Sequence, residues 1–130
     1  MVLARNYTAE DLQDVGLYLQ GLLQIMAADD HLHETEKELV KQYALRAGFE
    51  EKYIERNIDT ALSNKYFVRL PPRFHSRDTA EDFLLEAARI AVCDGSLHLQ
   101  EEEWLRKAVE KNDLDWALIE PILEGVPRTE

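Results

Sequence analysis

The chain has 130 residues and is strongly acidic, with 26 acidic against 15 basic side chains and a formal net charge of −11. Such a charge repels the phosphates of nucleic acids and of anionic lipids, which argues against nucleic acid and anionic membrane surfaces as partners. Membrane insertion is not expected either, because the chain lacks a long apolar run. The negative charge favours a protein partner with a basic surface. The first residues contain no hydrophobic leader and no run approaches about 20 apolar residues, so we expect a soluble, cytoplasmic protein.

Apolar residues at helical spacing predict three helices in the first half of the chain. These predicted helices run from about residue 9 to 28, from about 34 to 47 and from about 50 to 62. Gly48 stands where a C′ glycine would end the second of them.

A connector without helical periodicity follows over residues 63–78. Pro71-Pro72 forbids a continuous helix within it. Phe74 indicates that the connector still packs onto the body of the protein, and His75 reads as a solvated loop histidine.

Three further helices are predicted in the second half, from about residue 79 to 93, from about 99 to 111 and from about 115 to 123. Either Ser76 or Asp78 would cap the first of these, and Asp115 would cap the last. Pro121 falls inside the last pattern and would kink or shorten that helix. The tail over residues 125–130 is expected to be frayed.

The two halves of the sequence align without a gap at an offset of 65 residues, so that residues 18–59 fall on residues 83–124. Identities are densest in a loop, where five of the ten positions from Asp29 to Glu38 recur. We therefore predict an all-α fold in one domain of residues 1–130. It would be a single compact bundle of about six to seven helices with an internal pseudo-twofold repeat of a three-helix unit.

The repeated loop residues are the candidate site of the molecule. They are Asp29, His33 and Glu36 in the first copy and Asp94, His98 and Glu101 in the second. In a structural interpretation, the aspartates accept backbone N–H groups of the turn and each His-x-x-Glu forms a capping box with an unusual cap residue. In a functional interpretation, carboxylate oxygens and imidazole nitrogens converge on a divalent transition-metal ion. The sequence leaves both interpretations open.

The second loop carries a signature that points to a family. Asp94-Gly95-Ser96-Leu97, followed by Glu101, comes after an Ala-rich apolar helix and resembles the TerB family of tellurite-resistance proteins, whose domain also occurs on the N-terminal side of a DnaJ-like membrane co-chaperone. In the first loop, Asp30 stands where the glycine is expected. The resemblance covers about residues 9–124. It implies a bundle of about seven helices, a role in stress-response or chaperone-linked assemblies, and metal binding through acidic residues.

No glycine-rich phosphate loop, Gly-x-Ser-x-Gly elbow or Cys–His pair at a motif spacing occurs in the sequence. We therefore expect a non-enzymatic module that binds a protein partner and needs no cofactor. The alternative is a divalent metal-binding protein, active in metal or tellurite stress, that uses the two Asp-x-x-Leu-His-x-x-Glu loops.

Overall fold

The computed structural model describes residues 9–27, 34–46, 48–63 and 70–129. The α-helices in these ranges are α1 (Ala9–Ala27), α2 (Glu34–Arg46), α3 (Glu51–Ser63), α4 (Arg77–Ala91), α5 (Leu99–Lys111) and α6 (Glu120–Leu123). A 3₁₀ turn covers Trp116–Leu118, and two short strands are β1 (Leu97–His98) and β2 (Arg128–Thr129). The predicted all-α fold class is confirmed. Across these ranges, no helix has the length and apolar character needed to cross a membrane.

The bounds of the helices agree closely with the sequence pattern, except at the C-terminal end. Helix α5 has the predicted bounds, and α1 to α4 each begin and end within two residues of them. The last predicted helix is divided into the 3₁₀ turn and α6. The division follows from Pro121, because a proline lacks the N–H that a continuous helix needs, whereas the first turn of a new helix requires no donor there.

Helices α1 and α4 form the centre of the bundle. Helix α1 contacts α2, α3, α4 and α5, and α4 contacts α2, α5 and α6. Ile25 on α1 and Ile90 on α4 are fully buried in the core. A Cβ added at Gly21 would lie 2.5 Å from the Phe83 ring, so the absence of a side chain allows α1 to approach this ring closely.

The turn after α2 confirms the predicted C′ glycine. Gly48 has a φ of +99°, which favours glycine. Its N–H donates to the Leu45 carbonyl at 3.1 Å, and the Phe49 N–H donates to the Ala44 carbonyl at 3.1 Å. These are the two hydrogen bonds of a Schellman motif, which satisfies carbonyls that the end of a helix would otherwise leave without donors.

The turn after α5 has the same two backbone hydrogen bonds. The Asp113 N–H donates to the Glu110 carbonyl at 3.1 Å, and the Leu114 N–H donates to the Val109 carbonyl at 3.0 Å. Each of these four positions follows its counterpart in the first turn by 65 residues. Asp113 therefore occupies the position of Gly48, with a φ of +54°. The two turns are built alike, whereas the pseudo-twofold relation of the complete units stays a prediction.

The connector is described over residues 70–76 and contains no helix there. Pro71, Pro72 and Phe74 are buried, as the prediction of a packed connector requires. Helix α4 begins directly after it, because the Ser76 side chain accepts the Thr79 N–H at 3.3 Å and caps the helix. Of the two caps that the sequence proposed, Ser76 is thus the one used. Residues 64–69 of the predicted connector lie outside the described ranges.

The tail, for which the sequence predicts fraying over residues 125–130, contains strand β2. This strand pairs in parallel with β1, with Leu97 opposite Arg128 and His98 opposite Thr129. Fraying of the tail stays a prediction. The Leu97 N–H donates to the Pro127 carbonyl at 2.9 Å. Paired residues are 31 positions apart in the chain, and a local pattern of apolar residues carries no information about such a contact. Glu130 lies outside the described ranges.

Candidate functional site

Asp94 organises the turn between α4 and β1. Its Oδ1 accepts the Ser96 N–H at 3.2 Å and the Ser96 hydroxyl at 3.4 Å. Gly95 has a φ of +89°, and no atom lies within 4 Å of the position that its Cβ would take. The backbone conformation, and not a lack of space, therefore favours glycine here. The predicted turn-forming role of Asp94 is confirmed.

His98 and Glu101 form a reciprocal capping box at the start of α5. The His98 Nδ1 accepts the Gln100 N–H at 3.1 Å, and a Glu101 carboxylate oxygen accepts the His98 N–H at 3.0 Å. Glu101 is only 2% exposed. Both side chains thus satisfy backbone N–H groups that no helical carbonyl can reach. The structural interpretation of the loop is confirmed for this second copy.

The metal-binding interpretation has no comparable support. In the second loop, Asp94, His98 and Glu101 each accept a hydrogen bond from a different backbone N–H group. Within the part of the chain that the structure describes, no group of three or more His, Cys, Asp or Glu side chains could hold a metal ion. Asp29 and His33 lie outside that part, and Glu36 lies on α2 with an undescribed side chain. Metal binding by the paired loops therefore stays a prediction.

A polar groove lies between α2 and α3, with a cavity of about 320 Å³. Its lining comprises four acids, two lysines and one apolar residue, namely Glu34, Lys37, Glu38, Lys41, Glu55, Ile58 and Asp59. The Lys41 ammonium lies 3.0 Å from the Glu51 carboxylate and 3.3 Å from the Glu55 carboxylate. Hydrogen bonds to Glu51 and Glu55 raise the pKa of Lys41 above its ordinary value. This α2–α3 groove therefore already holds one cation between carboxylates.

Arg128 ties the tail to the first turn of α5. Its Nε and Nη2 each lie 3.2 Å from one carboxylate oxygen of Glu102. Its Nη1 donates to the carbonyls of Leu123 and Val126 at 3.3 and 2.6 Å. We call β1 together with Glu102 the tail-binding edge. This contact could not be predicted from local sequence patterns, since 26 positions separate its two side chains. The signal that the sequence does contain is an isolated arginine in the tail of a strongly acidic chain.

Asp14, on α1, fixes the end of the connector. Its carboxylate is buried and accepts the N–H groups of His75 and Ser76 at 2.9 and 3.0 Å, together with the His75 imidazole at 3.0 Å. Burial raises the pKa of Asp14, but these hydrogen bonds outweigh burial and hold the pKa below its ordinary value. His75 was predicted to be a solvated loop residue. Its side chain is 43% exposed, yet it contacts this buried carboxylate.

Asn112, at the end of α5, fixes the same connector from the other side. Its side-chain amide donates to the Pro72 carbonyl at 2.9 Å, and its oxygen accepts the Phe74 N–H at 2.9 Å. The connector is thus hydrogen-bonded to both halves of the chain. Asp14 and Asn112 were not identified from the sequence, because each is an ordinary polar residue whose partner lies about 40 or more positions away.

No protein-family model matches the chain, no curated protein matches it, and no solved structure matches its fold. The TerB resemblance therefore rests on the loop signature and the repeat alone.

Proposed function

We propose that this chain is a non-enzymatic interaction module of the TerB type, which acts in the cytoplasm and binds the basic surface of a protein partner in a stress-response or chaperone-linked assembly. The observation that carries the proposal is the α2–α3 groove, in which four carboxylates outnumber two ammonium groups. The excess of acidic side chains in the whole chain supports it.

The Lys41 contacts indicate how the groove would receive a partner. A lysine or arginine of the partner would lie between carboxylates in the way that Lys41 lies between Glu51 and Glu55. Exposed ion pairs are individually weak, so binding would depend on several of them together. Complementary charge would speed association and select basic partners more than it would raise affinity, and salt would weaken the complex.

The two histidines with described side chains have structural roles that agree with a non-enzymatic function. His75 contacts the carboxylate that fixes the connector, and His98 caps α5. Each imidazole is thus part of a hydrogen-bond arrangement that holds the backbone.

The direct test is binding of a fluorescein-labelled octalysine peptide, followed by anisotropy. We expect the affinity to fall at least about tenfold between about 20 and 300 mM NaCl, because screening shortens the range of charge interactions. The double variant Glu38→Gln/Glu55→Gln should bind at least about fivefold more weakly at low salt. Glu103→Gln/Glu110→Gln on α5 is a matched control, since both of its residues are exposed and it changes the net charge equally.

Two outcomes would contradict the proposal. The first is a peptide that does not bind at low salt. The second is an equal loss of affinity in the groove variant and in the control, which would show that only total charge matters.

A further inference from the structure

We infer that the tail-binding edge is a binding site for an extended, arginine-containing segment of a partner protein, and that the tail of the chain itself occupies this site. The inference rests on the proposed function because it requires a basic partner. It adds a second surface, distinct from the α2–α3 groove, and a specific chemistry of recognition.

The contacts between the strands can be made by any extended chain. Residues of β2 lie parallel to β1, and the Leu97 N–H donates to the carbonyl of Pro127. Backbone groups of this kind are present in nearly every residue, so an extended segment of another protein can replace the tail by adding a strand to β1.

The specificity comes from Arg128. Two nitrogens of its guanidinium group contact Glu102, whose side chain is only 18% exposed. A third nitrogen donates to two backbone carbonyls at the end of α6 and in the tail. Lysine has no planar group with donors in these several directions, so the edge is suited to arginine.

The edge and the tail are held with unequal strength. Leu97 is fully buried, and the capping box of His98 and Glu101 fixes the backbone that follows it. Arg128 and Thr129, by contrast, are exposed. An exposed segment with few buried contacts opens locally at small free-energy cost, whereas the edge remains in place. A competing segment would therefore replace the tail and leave the tail-binding edge unchanged.

The inference is tested by nuclear magnetic resonance titration of the full-length, ¹⁵N-labelled chain with an acetylated, amidated peptide of its own residues 125–129, Gly-Val-Pro-Arg-Thr. In Arg128→Ala the tail loses its anchoring side chain, which frees the edge. We expect this variant to bind the peptide about three- to fivefold more tightly than the wild type, because the tail competes less well without its arginine. The shifted amides should centre on Leu97, His98 and Glu102.

Three controls define the chemistry. A peptide with alanine in place of arginine should bind about three- to fivefold more weakly. Adding Glu102→Gln to the Arg128→Ala chain should weaken binding of the original peptide to the same degree. Arg77→Ala removes an exposed arginine that pairs with Glu81 on α4 and should leave peptide binding as in the wild type.

The inference is overturned if Arg128→Ala keeps a native spectrum and binds the peptide no better than the wild type does, or if Glu102→Gln has no effect. A variant that forms dimers in sedimentation would also overturn it, because the site would then take a second copy of the chain. If octalysine still binds at low salt when the arginine peptide fails, this inference alone is wrong. If neither octalysine nor the arginine peptide binds, both this inference and the proposed function are wrong.

Discussion

The connector and the tail both lie outside the α-helices, and each is held by a carboxylate. The Asp14 side chain that holds the connector is 4% exposed, whereas the Glu102 side chain that holds the tail is 18% exposed. The connector is also hydrogen-bonded by Asn112 from the opposite side and buries Phe74. The tail exposes both residues of its strand.

The comparison shows that the burial of a carboxylate determines how much its contacts stabilise the fold. Hydrogen bonds to a buried charged group each contribute about 1.5–3 kcal/mol, and their loss leaves buried donors without acceptors. An ion pair near the surface contributes at most about 1 kcal/mol. The connector is therefore part of the folded core, and we expect the tail to be able to leave its site without unfolding of the protein.

The largest expected effect comes from Asp14→Asn. The amide is nearly isosteric but removes the charge, and its NH2 group replaces one of the two oxygens that accept the N–H groups of His75 and Ser76, so one of these contacts becomes donor against donor. We expect the free energy of unfolding at pH 7 to fall by about 2–3 kcal/mol in urea denaturation. Glu103→Gln, an exposed carboxylate on α5, should change it by less than about 0.5 kcal/mol. Equal effects of the two substitutions would contradict the structural role of Asp14.

The stability difference between the wild type and Asp14→Asn should also depend on pH, and the sign of this dependence follows from the pKa of Asp14. Because the pKa of Asp14 is lower in the folded chain, its stabilisation is present above the ordinary aspartate pKa of about 4 and is lost as the pH falls through the folded value. The stability difference between wild type and Asp14→Asn should therefore shrink below about pH 4. A difference that stays constant down to pH 2 would argue against a charged Asp14.

Gly21→Ala should have the next largest effect. The new Cβ would approach the Phe83 ring within 2.5 Å and Pro72 of the connector within 3.1 Å. Overpacking of this kind costs about 1–3 kcal/mol, measured by urea denaturation. Gly16→Ala on the same helix meets no atom within 4 Å, so it should stabilise the protein by up to about 1 kcal/mol through helix propensity. Destabilisation by Gly16→Ala to a similar degree would refute the close-approach explanation.

Asn112→Ala should destabilise the protein by about 1–2 kcal/mol in the same assay, since the Phe74 N–H and the Pro72 carbonyl lose their partner. Asn57→Ala is the matched control on α3. Among the described residues, the Asn57 side chain bonds to a carbonyl one turn earlier in its own helix, so its removal should be neutral or slightly stabilising.

Arg128→Ala should have the smallest effect on global stability. We expect the free energy of unfolding to change by less than about 1 kcal/mol, because the contact with Glu102 lies near the surface. A decrease of more than about 2 kcal/mol in the free energy of unfolding would show that the tail, like the connector, belongs to the folded core.

The fold was predictable where short-range chemistry determines it. The bounds of α5 follow from His98, Glu101 and the turn after the helix, all of which lie within a few positions of its ends. Gly48 ended α2 as expected because its backbone conformation is a local property. Asp113, with the same turn and hydrogen bonds, carried no such signal, since aspartate adopts positive φ less readily than glycine does.

The contacts that hold the connector and the tail were not predictable in this way. Asp14 meets His75 across 61 positions, and Glu102 meets Arg128 across 26. Such pairings depend on how the helices pack, which a single sequence does not encode in any local pattern. The repeated Asp–His–Glu set is a different case. The sequence offers both a capping role and a metal-binding role for it, and the directions of the side chains in the second loop show the capping role.

Native-state hydrogen exchange tests the distinction between connector and tail most directly. The Leu97 amide donates to the tail, and the His75 amide donates to Asp14. We predict that Leu97 exchanges through local opening, with a free energy several kcal/mol below that of His75 and independent of low urea concentrations. The Arg128→Ala substitution should lower the opening free energy of the Leu97 amide and leave that of the His75 amide unchanged. Equal opening free energies for the two amides, with the same urea dependence, would contradict an exchangeable tail.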